Sequence, residues 1–270
     1  SGNDMPLFLS TTKAEKVPGG YKYTGRKSFG SLSPVWTRLG LHGMDTSDPK
    51  APKIIHGFLP RSSNGFSIRQ TWDVLGMRAT RSDDTILEGA FVPDKYIGRI
   101  LPAGTPDMFV LGIFAWADIG FANVYYGLAL RARDLAVEAA KRRTSLAVSR
   151  SMAYHPEVQH EAAQMTLILE GIGPHLDRIA QDWADGIDHG MQWPAKIVAA
   201  KYHAVEGAGK AVDLALEISG GFGMFKSSEL ERLYRDVRCG RFHPANSALV
   251  HELVGKTTLG IGLDEQPRWG

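Results

Sequence analysis

At 270 residues, with 43% hydrophobic and 22% charged residues, the chain has an ordinary globular composition and enough length for one large domain or two smaller ones. Its 31 basic and 29 acidic residues nearly cancel, which excludes the strongly positive surface that displaces counterions from nucleic acid, so no nucleic-acid partner is expected. A single cysteine, Cys239, rules out an intrachain disulfide, fits a reducing cytoplasm, and reads as a buried inert thiol.

Residues 1–6 lack the basic region and apolar core of a signal peptide, and a chain that opens on Ser1 in the middle of a motif reads as a fragment. Residues 7–17 look extended, Pro18-Gly19-Gly20 supplies a turn, and 21–29 alternates again to complete a first hairpin. Further strands are expected at 54–59, 66–70 and 85–92, separated by Gly, Pro, Asp and Ser clusters. The most membrane-like run, 108–126, is interrupted by Asp118 and Asn123 and reads as a buried helix, so no membrane is expected as a partner.

Apolar residues then recur at helical spacing over 117–143. Pro156 and Pro194 each stand where a first helical residue needs no backbone donor, marking two more long helices, the second ending at Gly220-Gly221. Ser228 and Glu231 fit a capping box for a short helix to Arg235, and a last helix runs from Asn246 or Ser247 to about Gly260. Four long helices with short connections imply a bundle. The expected fold is α+β: an antiparallel, barrel-like β domain over 1–104 followed by an up-down four-helix bundle over 105–270.

Between the two kinds of chain lies Thr71-Trp72-Asp73-Val74-Leu75-Gly76-Met77-Arg78-Ala79-Thr80-Arg81-Ser82-Asp83-Asp84-Thr85, leading into Phe91-Val92-Pro93. This order strongly resembles the acyl-CoA dehydrogenase superfamily of flavoproteins without its N-terminal helical domain, and Leu75-Gly76-Met77-Arg78-Ala79-Thr80 is the most specific match. Ser1-Gly2-Asn3-Asp4 resembles the tail of the family's flavin-binding loop, which makes Asn3 a cofactor residue by resemblance. Gly25-Arg26-Lys27-Ser28-Phe29-Gly30-Ser31 is similar to the segment whose aromatic ring covers the flavin and whose hydroxyl reaches N5, implying those roles for Phe29 and Ser31. By itself Phe29 reads more simply as an inward strand residue.

Lys141-Arg142-Arg143-Thr144-Ser145 occupies the place of the family's Arg-x-x-Phe-Gly segment, with the Phe-Gly replaced. The resemblance gives Arg142 a charge-assisted bond to the pyrophosphate of a neighbouring subunit's FAD. Ser219-Gly220-Gly221-Phe222-Gly223 resembles the Gly-Gly-x-Gly turn, implying that Gly220, Gly221 and Gly223 let backbone approach the dinucleotide diphosphate. A helix precedes this turn, so it is no Rossmann fingerprint. Tyr234-Arg235-Asp236 matches the family's Arg-Asp pair.

The catalytic position departs from the pattern. Eight residues after that aspartate, where the family most often has glutamate, stands Pro244, with neither a carboxylate nor a backbone N–H. A shift of one residue would restore a donor at Ala245 but no carboxylate. Asp118, counted back from Tyr126-Gly127, falls within one position of the base that some relatives carry on this helix; the plainer reading is a paired structural carboxylate. His243 matches a region where flavin monooxygenases on the same fold use histidine for proton transfer; the plainer reading is a cap on the following helix. His251-Glu252 and His155-Pro156-Glu157 lack the further ligands of a metal site, and no metal is expected.

The resemblance implies an FAD-dependent oxidoreductase. Its leading reaction is α,β-dehydrogenation of acyl-CoA or a related small molecule, with FAD as cofactor, an electron acceptor or flavin reductase as partner, and a homotetrameric assembly. A flavin monooxygenase and a non-catalytic family member are the alternatives.

Overall fold

Residues 8–263 and 265 are described by a computed structural model. Their contacts divide them into two units, one holding 8–74 with 78–113, the other 75–77 with 114–263.

In the first unit, β1 (Lys13–Val17) and β2 (Gly20–Lys27) form the expected hairpin, closed where Val17 pairs with Gly20 and Gly19 takes φ +79°. Residues 9–12, expected to extend β1, lie outside the strand. Thr12 is buried there and packs so closely on Gly25 that a Cβ at Gly25 would stand 3.0 Å from it. Then come β3 (Arg38–Asp45), β4 (Lys53–Pro60), β5 (Phe66–Arg69), β6 (Asp84–Pro93) and β7 (Ile97–Pro102).

The seven strands run in the order β5-β6-β2-β1-β3-β4-β7. Hydrogen bonding therefore leaves β5 and β7 as edges. Pairing is antiparallel except between β1 and β3, where Lys13 meets Met44 in parallel register, so the sheet is mixed and not purely antiparallel. The physical reason is connection length. Residues 28–37 intervene between β2 and β3, long enough to carry the chain past the hairpin to β1's free edge, which a tight turn could not do. Inward residues Tyr21, Tyr23, Leu41, Ile55, Leu59 and Leu87, with Ala90 and Val92 beyond a register shift in β6, build the core, and the Tyr23 hydroxyl donates to the Ile55 carbonyl at 3.2 Å.

The first helix, α1 (Met108–Arg142), joins the apolar run 108–126 and the helical spacing of 117–143 into one element, and the Asp107 carboxylate, accepting the Phe109 N–H at 2.7 Å, supplies the cap. Within the second unit Ala115, Asp118, Ala122, Tyr125, Ala129, Ala132 and Ala136 form its buried stripe at alternating three and four spacing. It is the core helix expected of this run, although Trp116 on another face is 78% exposed.

An unexpected two-stranded hairpin, β8 (Thr144–Ser145) and β9 (Val148–Ser151), precedes α2 (Pro156–Ala184). Next, α3 (Trp193–Ser219) lies close against α2: a Cβ at Gly207 would meet the Ile172 side chain at 2.6 Å. The shorter α4 (Glu229–Val237) is capped by the Ser228 hydroxyl, which accepts from Leu230 N–H. The Glu231 carboxylate holds Arg235, and the Ser228 N–H donates to the Phe225 carbonyl, so the capping box is formed in its first half. Finally α5 (Ser247–Leu259) starts at the Asn246 cap and ends on left-handed Gly260. The bundle thus has three helices of 27 or more residues and a fourth of 13.

Candidate active site

In the sheet unit, the buried carboxylate of Asp83 organises two loops. It accepts the Ser33 hydroxyl at 2.7 Å and the Thr71 and Trp72 N–H groups at 2.9 and 3.0 Å, while the Asp83 carbonyl takes the Gly30 N–H. The Ser33 bond above all holds its carboxyl below the usual range, so it stays an acceptor. This staple presents Phe29 and Ser31. Phe29 lies beyond the end of β2 with φ +60°, and its ring is 63% exposed with its edge on Trp72, which overturns the inward-strand reading. Ser31 joins a row of hydroxyls, 2.8 Å from Ser82, which is 2.7 Å from Thr80.

In the helical unit the two motifs that carry most of the resemblance meet. A Cβ at Gly76 would stand 2.3 Å from the Arg235 carbonyl oxygen, so only glycine fits. The next residue, Met77, donates its N–H to Asp236 at 2.6 Å, and Arg235 donates to the Leu75 carbonyl at 3.0 Å. Cys239 lies beside them, half-buried and not buried as expected, its thiol pushed up by burial.

The three glycines of the 220–223 turn differ in role. Gly220 takes φ +65° and ends α3, Gly223 is buried where a Cβ would meet Leu216 at 2.8 Å, and Gly221 faces open space. Arg142 is exposed at the end of α1. Its neighbour Arg143 reaches the turn, donating to the Ile218 carbonyl at 2.8 Å with its guanidinium against Gly220.

Asp118 and His243, 125 positions apart, belong to one cluster. Asp118, Phe121 and Tyr125 share a face of α1 by their three and four spacing. The Tyr125 hydroxyl is 2.9 Å from His243 Nε2, and the Phe121 ring stacks on the imidazole with centroids 4.1 Å apart. Asp118 is 1% exposed; its Oδ1 accepts the Ala245 N–H at 3.3 Å, and its Oδ2 has no hydrogen-bond partner. Lys201 of α3, 2% exposed, donates to the Ala245 carbonyl at 2.7 Å and the His243 carbonyl at 3.2 Å.

Burial raises the Asp118 carboxyl, opposed by Lys201 and the Ala245 N–H, and burial lowers the Lys201 ammonium, opposed by Asp118 and Glu206. The His243 imidazole falls to about 4, through burial first and the Lys201 charge second, and is neutral at neutral pH. The Ala245 donor that a one-residue shift would provide is therefore present, and it is spent on Asp118.

Lys201, Tyr125, Phe121 and Arg143 escape a reading of the sequence, because a lysine within Ala199-Ala200-Lys201-Tyr202 looks like any helical lysine until its helix is packed. Asn3 lies outside the described residues. Among the described residues no cluster of three His, Cys, Asp or Glu could hold a metal.

Two places, one in each unit, have chemistry that suits parts of a flavin cofactor. An exposed aromatic ring beside a hydroxyl row suits a flat heteroaromatic ring, and open Gly221 with an adjacent guanidinium suits a phosphate.

Residues 119–248 match the family model described as acyl-CoA dehydrogenase, C-terminal domain. YdbM of Bacillus subtilis (strain 168), provisionally named an acyl-CoA dehydrogenase, is 29% identical over 250 residues, covering 91% of this chain and 62% of that protein. The amino sugar nitrososynthase DnmZ of Streptomyces peucetius is 28% identical over 271 residues, covering 93% of this chain and 62% of its own. The chain thus spans less than two thirds of the length of these curated relatives. The structure of KijD3 in complex with FMN and dTDP-3-amino-2,3,6-trideoxy-4-keto-3-methyl-D-glucose matches with a TM-score of 0.83 at 24% identity, over 95% of this chain and 64% of that one. The names of relatives divide between acyl-CoA dehydrogenases and enzymes such as a dibenzothiophene monooxygenase of Rhodococcus erythropolis. With its sheet unit followed by a helical unit, the chain has an acyl-CoA dehydrogenase-like fold, and residues 119–248 match that family's C-terminal domain.

Proposed function

We propose that the protein is a flavin-dependent oxidoreductase that oxygenates a small molecule at the expense of reduced flavin and dioxygen, with His243 handling the proton. The observation that carries this reading is the division of labour in the cluster. No carboxylate stands at position 244 and Asp118 is taken up by Ala245 with Lys201 beside it, whereas His243 is a neutral imidazole held by Tyr125. Reduced flavin, when bound, supplies the two electrons, so that one oxygen atom enters the substrate and the other leaves as water. A neutral imidazole accepts a proton from a substrate N–H or O–H. The nitrososynthase and monooxygenase names among the relatives agree with such chemistry.

Phe29 and Ser31 are proposed to meet the flavin ring, and Gly220, Gly221 and Gly223 the diphosphate. Arg142 is proposed to reach a neighbouring subunit's cofactor within a homotetramer, with FAD as the flavin and a flavin reductase as the partner.

Dehydrogenation of an acyl thioester is the second reading, favoured by the unpartnered Oδ2 of Asp118 and by burial that raises this carboxyl toward the range of a general base. Labelled dioxygen separates the two. Full-length protein with reduced FAD and an oxygenated substrate carries the label into product, and His243→Ala lowers that incorporation roughly a hundredfold, the usual scale for a positioned acid or base. Bleaching of the oxidised flavin by acyl-CoA under anaerobic conditions, abolished by Asp118→Asn and indifferent to His243→Ala, would instead establish the dehydrogenase.

A further inference from the structure

We infer that Lys201 is the positioning residue for His243: its buried ammonium clamps the carbonyls on both sides of Pro244 while Asp118 holds the intervening Ala245 N–H, and together they fix the backbone that carries the imidazole. This rests on the reading of His243 as the proton-handling group.

The polar groups of the 243–245 turn explain why a cation is needed. The Ala245 carbonyl is buried and the His243 carbonyl partly so, and a buried acceptor left without a donor costs free energy comparable to a lost hydrogen bond. Pro244 brings no N–H of its own. One ammonium at 2.7 and 3.2 Å satisfies both acceptors. Burying that charge is itself expensive, and an apolar residue of similar volume often does as well for stability. A lysine at this depth is therefore better explained by what it holds than by stability.

With the backbone fixed, the imidazole has two neighbours on α1: the Tyr125 hydroxyl at 2.9 Å and the Phe121 ring stacked at an interplanar angle of 16°. The titratable groups around it are Tyr125 and Lys201, with Asp118 and Glu206 facing the lysine, and Cys239 and Asp236 facing the tyrosine. Among them the Lys201 charge opposes protonation of the imidazole, so the clamp also keeps it neutral and ready to accept a proton.

The test uses full-length protein labelled with 15N-histidine, the His243 signal being identified by its loss in His243→Gln. In Lys201→Met the imidazole titrates at higher pH than in the wild type, and oxygenated product falls roughly a hundredfold, the cost of a misplaced group. Asp118→Asn with Lys201→Met removes both buried charges and leaves no isolated ion, so the double variant keeps its fold. It retains the raised titration and the lost turnover. Either variant, folded, with His243 titrating as in the wild type or with wild-type turnover would overturn the assignment. Normal turnover by His243→Ala, combined with a raised titration in Lys201→Met, would leave Lys201 acting on the imidazole and remove the oxygenation reading instead.

Discussion

A histidine that folding strips of water gives up its proton early, and His42 and His243 do so most strongly. The His42 imidazole is lowered to about 3, by burial first and then by Lys27 and His56, and His243 to about 4, by burial and Lys201. Both values lie below the unfolded one, so the unfolded chain binds more protons in acid, and stability falls as pH drops from about 6.5 toward 4. For His243 the whole effect is on the order of 3 kcal/mol. Urea unfolding between these limits should show the loss, and His42→Phe should make it shallower. At neutral pH a sensitive backbone position is Gly76, whose added methyl would strike the Arg235 carbonyl and not a yielding side chain. Gly76→Ala is expected to cost about 1–3 kcal/mol or more, the range for overpacking, read as a lower urea midpoint with unchanged slope.

Among the elements, those bounded by a cap or a proline were legible in the sequence, since these devices act through the chain's own neighbours. The starts of α2, α3, α4 and α5 and the glycine ends of α3 and α5 all follow from them. Asn246 begins α5 directly after the His243–Ala245 turn, and Asn246→Ala should cost about 1 kcal/mol, measured by thermal unfolding. The strands β3 and β7 were not legible. Gly40, His42 and Gly43 interrupt the alternation of β3, and β7 is an edge strand exposed along most of its length, so neither carries the period of a half-buried strand. Their partners supply what their own sequences lack: β4 pairs with β3 over eight positions and with β7 on its other side.

For the whole molecule, the expected cofactor and assembly are measurable together. Full-length protein should take up FAD or its reduced form, and light scattering at micromolar concentration should give four times the mass of one chain. Protein that binds neither form would remove the flavin from the proposal, and a strict monomer would remove the role of Arg142. Trp116, 78% exposed on a helix otherwise rich in apolar residues, bears on the assembly: a large apolar side chain left in water is costly, and covering it gains on the order of 2 kcal/mol.

Motif order, cap chemistry and residue spacing by themselves determined that this chain joins a β unit to a helical unit in the order of the family it resembles, and that proline stands where that family most often has its catalytic glutamate. These are properties of neighbours along the chain, and they survive without a third dimension. Only the tertiary structure decided that Asp118 and His243 stand in one cluster, that a buried Lys201 holds the His243 and Ala245 carbonyls there, and that Arg143, not Arg142, meets the glycine turn within the chain. Burial and long-range hydrogen bonds set those roles, and both depend on which helices pack together, which no local pattern encodes.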